Sequence, residues 1–275
     1  MLKRFFLLTG LFFLFTSFTQ VERTWVAIGD SITYLNDHQN ETGNRVTKGY
    51  MTRVTEKLPH IHFINQGHNG WTAVRIAEQI ESLQLVKADV YSVFLGTNDW
   101  WQGKPLGTFA DYQKNTGNST VYGSFRTIIN KLRNLNGAAK IILITPMQRS
   151  DFVYINNPKN NAYGSYKEKN GQRLEQFAMA VDSIGHAEGF DVVDLFHQKG
   201  MDVKHLVKFK RLKDPQSGEY KNYRYPEYTG MPFNPETDEY PYPPEATDMT
   251  YDGLHPSDKG FKKIADLLVK LIKHY

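Results

Sequence analysis

Trp25-Val26-Ala27-Ile28-Gly29-Asp30-Ser31-Ile32-Thr33 is a short apolar run that breaks at a glycine and then presents an acid and a serine. Such a run reads as a buried strand ending in a turn. In an open α/β sheet, ligands bind in the crevice outside the carboxyl ends of the strands, so a serine placed there can meet a substrate. Ser31 is therefore a candidate nucleophile. The same Gly-Asp-Ser also makes an ordinary strand-ending turn, whose polar side chains bond nearby backbone. The rest of the chain has to decide between the two.

Downstream, short apolar runs alternate with segments of helical period, which argues for βα units feeding a mostly parallel sheet. Residues 61–64, 89–95, 140–145 and 191–196 read as further strands, making about five. Between them, Tyr50, Val54 and Leu58 recur at helical spacing before Pro59, and Val74, Ala77 and Ile80 share one face of a helix over residues 73–83. Phe125, Ile128, Ile129, Leu132 and Leu135 make an apolar stripe ended by Gly137. Leu174, Phe177, Ala178, Val181 and Ile184 make another. Phe261, Ile264, Ala265, Leu268 and Ile272 line a closing helix, with Ser257 as its N-cap. Residues 100–122 show no periodicity and read as a loop on the same rim. There is no internal repeat and no second domain.

The N-terminus has Lys3 and Arg4, then an apolar run to Phe18, and turns polar at Gln20-Val21-Glu22-Arg23. That is the pattern of a secretory signal peptide over residues 1–20, with too short an apolar core for a membrane span. Export to the periplasm or beyond is expected, with no stable membrane insertion after signal removal. The chain has no cysteine, so an exported form must hold together without disulfides, which a domain of this length can do through one large core. The net charge is +4, and Lys3 and Arg4 carry two of those charges; without a dense basic block, a nucleic-acid partner has no compositional support. The most basic stretch, residues 204–213, reads as a solvated face.

Residues 209–251 depart from the rhythm. They hold seven of the sixteen tyrosines and seven of the twelve prolines, too many prolines for a regular helix and too many aromatics for disorder. This Tyr/Pro-rich insertion reads as an ordered loop packed beside the site, or else as a structural wrap over a sheet edge or core face.

Thr250-Tyr251-Asp252-Gly253-Leu254-His255-Pro256 precedes the closing helix. Hydrolysis of an ester through a serine needs a base for the hydroxyl proton and a group that orients the resulting imidazolium. Asp252 and His255 supply both from one turn. A tetrahedral intermediate also needs hydrogen-bond donors where its oxyanion forms, each worth on the order of 3 kcal/mol. The backbone N–H of Ser31, that of Gly70 and the side-chain amide of Asn98 are candidates, and all three follow a predicted strand. Parallel strands carry their carboxyl ends to one edge, so these distant residues converge.

In this order, Gly29-Asp30-Ser31, Gly70, Gly96-Thr97-Asn98-Asp99 and Asp252-Gly253-Leu254-His255 resemble the characteristic blocks of the SGNH hydrolases, also called the GDSL esterase/lipase superfamily. The match spans nearly the whole chain. It implies a flavodoxin-like three-layer α/β/α fold and acyl hydrolysis without metal or other cofactor. It also implies Ser31 as nucleophile, His255 as base, Asp252 as its partner, and Ser31, Gly70 and Asn98 as the oxyanion hole. Ile32 stands where leucine is commoner. Asn69 precedes Gly70 where a serine is common, which leaves Gly67 as the alternative donor.

Trp71, Trp100 and Trp101 adjoin the oxyanion residues, and large aromatics at a strand-end rim suit either core packing or stacking on a sugar face. The expectation is a serine esterase that removes small acyl groups, acetyl foremost, from a carbohydrate or another small-molecule ester. A lipid-directed acylhydrolase with residues 209–251 as an apolar lid is the alternative within the same chemistry. A non-catalytic carbohydrate-binding protein on this scaffold is the alternative outside it. The other histidines lack a comparable partner spacing, and neither a His-Glu-any-any-His motif nor a calcium loop is present.

Overall fold

In the structure, a computed structural model that describes residues 21–274, the opening run forms β1 (Arg23–Gly29). The chain continues through α1 (Ser31–Tyr34), α2 (Tyr50–Lys57), β2 (Ile61–Gly67), α3 (Ala73–Glu78), β3 (Val90–Phe94), α4 (Thr97–Trp101), α5 (Phe109–Lys114), α6 (Val121–Leu135) and β4 (Lys140–Ile144). The two-residue strands β5 (Phe152–Val153) and β6 (Asn161–Ala162) follow, then α7 (Leu174–Glu188), β7 (Asp191–Val193) and α8 (Val203–Leu206). A hairpin of β8 (Lys210–Lys213) and β9 (Tyr220–Tyr223) leads to the closing helix α9 (Asp258–Ile272). The expected signal peptide, residues 1–20, lies outside the described residues.

Five strands form one parallel sheet in the order β2-β1-β3-β4-β7, the flavodoxin-like arrangement. β1 shows why its sequence is apolar throughout. Val26 and Ile28 point into a cluster with α3, α6 and α7, while Trp25 and Ala27 point into a second cluster with α2 and α9. Alternate residues of a strand face opposite sides, and here both sides are covered. The result is the three-layer α/β/α fold. The stripe Phe261, Ile264, Ala265, Leu268 and Ile272 of α9 is fully buried in the second cluster, and each larger side chain contributes about 1.5–3 kcal/mol. Ser257 caps that helix by accepting from the Gly260 N–H.

The chain order turns back between β1 and β3, because the chain first builds outward to β2 and then crosses over to β3. That switch point opens a crevice at the carboxyl edge. Ser31 follows β1 and Asn98 follows β3, so both stand at its mouth.

Three expectations need correction. Residues 100–122 are not one loop, because α4 runs to Trp101 and α5 stands on a Thr108/Asp111 capping box. Its single turn and a half is too short for a periodic signal. The helix expected over residues 73–83 stops at Glu78 and gives way to turns. The basic run 204–213 is not wholly a solvated face, since Lys210 is buried and its Nζ bonds Asp151 Oδ2 at 2.8 Å.

Residues 209–251 carry the hairpin and then wrap the segment after β4. The Tyr242 hydroxyl donates to the Asp151 carbonyl, and the Tyr228 and Ser150 hydroxyls lie 2.7 Å apart. Tyr228 and Tyr242 are fully buried by these contacts.

Candidate active site

Asp30 ends β1 by capping α1, its Oδ1 accepting the Ile32 N–H at 3.0 Å. The cap turns the chain sharply, so Ser31 projects from the first helical position toward the crevice. From the other end of the chain, the 250–256 turn is closed by the Tyr251 N–H bonding the His255 carbonyl at 3.1 Å. Asp252 organises its interior. Oδ1 accepts the N–H groups of Leu254 and His255 at 3.0 and 2.7 Å, and Oδ2 lies 2.7 Å from His255 Nδ1. His255 Nε2 lies 2.8 Å from Ser31 Oγ.

These contacts fix the protons. An ionised carboxylate can only accept, so His255 Nδ1 carries hydrogen, and Nε2 is left to accept from the Ser31 hydroxyl. Asp252 is fully buried and His255 nearly so, with Phe152 edge-on to the imidazole and Tyr251 stacked beside it. Packing therefore holds the ring where the hydrogen bonds need it.

The turn is pinned by its neighbour segment. The Ser150 N–H donates to the Gly253 carbonyl at 2.8 Å and the Val153 N–H to the Asp252 carbonyl at 3.1 Å. Gly253 has φ +91°, and a Cβ there would sit 2.0 Å from the Asp151 carbonyl oxygen. Only glycine fits.

Gly70 and Gly67 differ in position. Gly67 ends β2 opposite Gly29, donates its N–H to Asn65 Oδ1 at 2.9 Å, and would clash with Tyr34 backbone if it carried a Cβ. Gly70, at φ +72°, lines the cavity together with Ser31 and Asn98. The Asn98 amide donates to the Trp71 carbonyl at 3.0 Å, and its nitrogen lies 3.4 Å from Asp30 Oδ2. Burial raises the Asp30 carboxyl to about 6, and it does the same to the fully buried Asp99.

Ser31, Gly70, Asn98 and His255 border one cavity of about 300 Å³. Of the three tryptophans, Trp101 lines it. Trp100 belongs to the core instead, its Nε1 donating to the Gln172 carbonyl at 2.9 Å. Trp71 stacks on His68, with Arg75 over its ring, and is not part of the cavity wall. From residues 209–251 only Tyr251 reaches the wall.

Sequence reasoning missed another part of the wall, where Arg149, Phe152, Tyr154, Asn160 and Ala162 line the cavity. These residues lie in a stretch with no periodicity, so residue patterns were silent. Its topology was the available signal: it leaves the carboxyl end of β4, on the edge where the other blocks converge.

A family model described as the GDSL-like lipase/acylhydrolase family matches residues 27–263. No curated protein matches the chain. Among solved structures, a possible lipase from Chitinophaga pinensis DSM 2588 is 64% identical over 92% of this chain and 98% of its own, with a TM-score of 0.91. An acetylxylan esterase from Geobacillus stearothermophilus shares the fold at 20% identity and TM-score 0.51, over 91% of this chain and 94% of its own. A lipase/acylhydrolase from Enterococcus faecalis does so at 19% identity and TM-score 0.50, over 92% and 96%. By its parallel sheet, its block order and these matches, the chain belongs to the GDSL-like lipase/acylhydrolase family and is an ester hydrolase of that type.

Proposed function

We propose that this hydrolase is an exported serine esterase that removes small acyl groups, acetyl foremost, from a carbohydrate. The observation that carries the reading is the unbroken chain from Ser31 Oγ through His255 to Asp252 at the wall of a small, partly aromatic cavity. Ser31 Oγ attacks the ester carbonyl while His255 Nε2 takes its proton, and Asp252 stabilises the imidazolium. The N–H groups of Ser31 and Gly70 and the Asn98 amide receive the oxyanion. His255 then returns the proton to the leaving sugar oxygen, which departs as an alcohol. Water activated by the same imidazole releases the acyl group and frees Ser31.

Two features favour a short acyl group on a sugar over a lipid. The cavity is at the lower end of the roughly 300–1,000 Å³ usual for ligand sites. Tyr228, Tyr240 and Tyr242 are held down by hydrogen bonds to residues 150–153, and of residues 209–251 Tyr251 alone lines the cavity. Trp101 offers an aromatic wall at the cavity, with Phe152 and Tyr154 facing the same space. The charged and apolar run of residues 1–18 supports export.

The test is hydrolysis of aryl esters from acetyl through palmitoyl by the purified protein, with Ser31→Ala as the blank. A rate that peaks at acetyl and vanishes in the variant supports the reading. A peak at long chains moves it to lipids, and activity that survives Ser31→Ala removes the proposed nucleophile.

A further inference from the structure

Arg149 lies on the cavity wall, 1% exposed, with an unusual lack of partners. Its hydrogen bond runs from Nη2 to the Tyr163 carbonyl at 3.0 Å, and its Nε is buried with no partner among the described residues. A guanidinium offers five N–H donors, so most are left unanswered by protein. Its faces are not free, since Cζ sits 4.9 Å from the Trp101 ring centre and 5.3 Å from that of Trp100. What remains is the donor edge.

Burial lowers this guanidinium to about 10, with the charges of Asp151 and Asp252 pulling the other way but not prevailing. The nearby carboxylates are engaged elsewhere, including Glu41 on the same cavity wall, which accepts from the Tyr34 hydroxyl at 2.9 Å. Asp151 bonds Lys210 at 2.8 Å and Asp252 is held by His255 at 2.7 Å. Lys169 Nζ lies 4.3 Å from the Trp101 centroid, and Lys167 Nζ lies 5.6 Å from that of Tyr163. Among the described residues, none of Arg149, Lys167 and Lys169 has a carboxylate within ion-pair distance. Trp101 thus stands between two cations, Arg149 and Lys169, that make no ion pair among the described residues.

We propose that Arg149 is a specificity-determining residue that reads a carboxylate on the substrate, so that the esters this enzyme turns over best are anionic ones. The inference deepens the esterase reading and rests on it. A planar carboxylate matches the guanidinium fork, and in a desolvated wall that pairing is far stronger than in water. The carboxylate can come from the sugar, as in a uronate, or from the acyl group, as in a half-ester of a dicarboxylic acid. Both offer the same chemistry to Arg149.

Three esters separate the sources: a mono-O-acetylated methyl glucuronoside, the matching acetylated methyl glucoside, and the hemisuccinate of methyl glucoside. One of the anionic esters is expected to exceed the neutral one in kcat/KM by about tenfold or more, with the preference shrinking as salt is raised. In Arg149→Gln the ratio should collapse toward one, and in Arg149→Lys, which keeps the charge but not the fork, part of it should remain. An equal or higher rate on the neutral ester in the wild-type protein overturns the proposal, as does a preference undiminished in Arg149→Gln.

Binding of unesterified methyl glucuronoside, methyl glucoside and succinate to the Ser31→Ala protein, followed by tryptophan fluorescence and calorimetry, is independent of turnover. If no ester is hydrolysed yet an anion binds and Arg149→Gln or Arg149→Lys weakens it, the esterase reading fails and the anion site stands. If neither anion binds more tightly than methyl glucoside, the anion site fails whatever the rates. The wild-type salt dependence and the Arg149→Lys variant keep the test decisive should Arg149→Gln not fold.

Discussion

Asp99 reaches back from α4 to cap α3, its Oδ2 accepting the Ala73 N–H at 2.8 Å while Oδ1 accepts that of Val74 at 3.3 Å. One buried carboxylate thereby ties the helix that carries Asn98 to the turn that carries Gly70. The two oxyanion donors proposed from separate strands are set relative to each other by this residue, which does not line the cavity.

Asp99→Ala should therefore act on position as well as on stability. It leaves two buried N–H groups without acceptors, a loss of about 2–4 kcal/mol in urea unfolding. In the folded fraction, kcat should fall by about tenfold with little change in KM, since transition-state donors and not ground-state contacts are displaced. Asp99→Asn, which can still accept one N–H, should recover part of both. Unchanged kcat in folded Asp99→Ala would leave Asp99 a purely structural cap.

Ser31, His255 and Asp252 should behave as a unit, because each holds the next at 2.7–2.8 Å. Ser31→Ala and His255→Ala are each expected to lower kcat by about 10⁶, the double variant by no more, and Asp252→Ala by about 10⁴. Asn98→Ala should cost about 10²–10³ in kcat. Single-turnover kinetics on an aryl acetate checks all five. Additive losses in the double variant would separate Ser31 from His255.

Gly253→Ala should disable the site without touching a reacting group. With φ at +91° and the new methyl 2.0 Å from the Asp151 carbonyl oxygen, the turn cannot keep its geometry. The expected destabilisation is about 2–4 kcal/mol, and kcat should fall with it as Asp252 and His255 move off Ser31. Wild-type kcat in this variant would show that the 250–256 turn tolerates the shift.

The residues that were legible in the sequence are those whose role is local. The apolar run 25–28, the stripe of α9 and the short Asp252-to-His255 spacing each announce themselves within a few positions, because burial and hydrogen bonding there repeat with the period of the element. Ser31, Gly70 and Asn98 were legible because parallel strands bring their carboxyl ends to one edge. Arg149 was not, since its environment is assembled from Trp100, Trp101 and Tyr163 in other segments of the chain and no local pattern encodes that. Trp100 and Trp101 look alike in sequence. Which one faces the cavity is decided by a single step of helical rotation in α4.

The buried Asp30 gives the last expectation, and its sign runs against habit. Burial raises its carboxyl from 3.8 to about 6, with the Ile32 N–H and the nearby His255 pulling the other way but not prevailing. The folded chain thus holds this proton more tightly than the unfolded chain does. Its contribution to stability is full below 3.8 and is lost as pH rises through about 6. Asp30→Asn keeps an acceptor for the Ile32 N–H but carries no proton to lose. Relative to that variant, the wild-type protein should lose about 3 kcal/mol of unfolding free energy between about pH 4 and about pH 7. Urea titrations of both proteins across that range measure the difference directly. A constant difference would mean that Asp30 titrates alike in the folded and unfolded chains, and that its cap on α1 is made by an ordinary carboxylate.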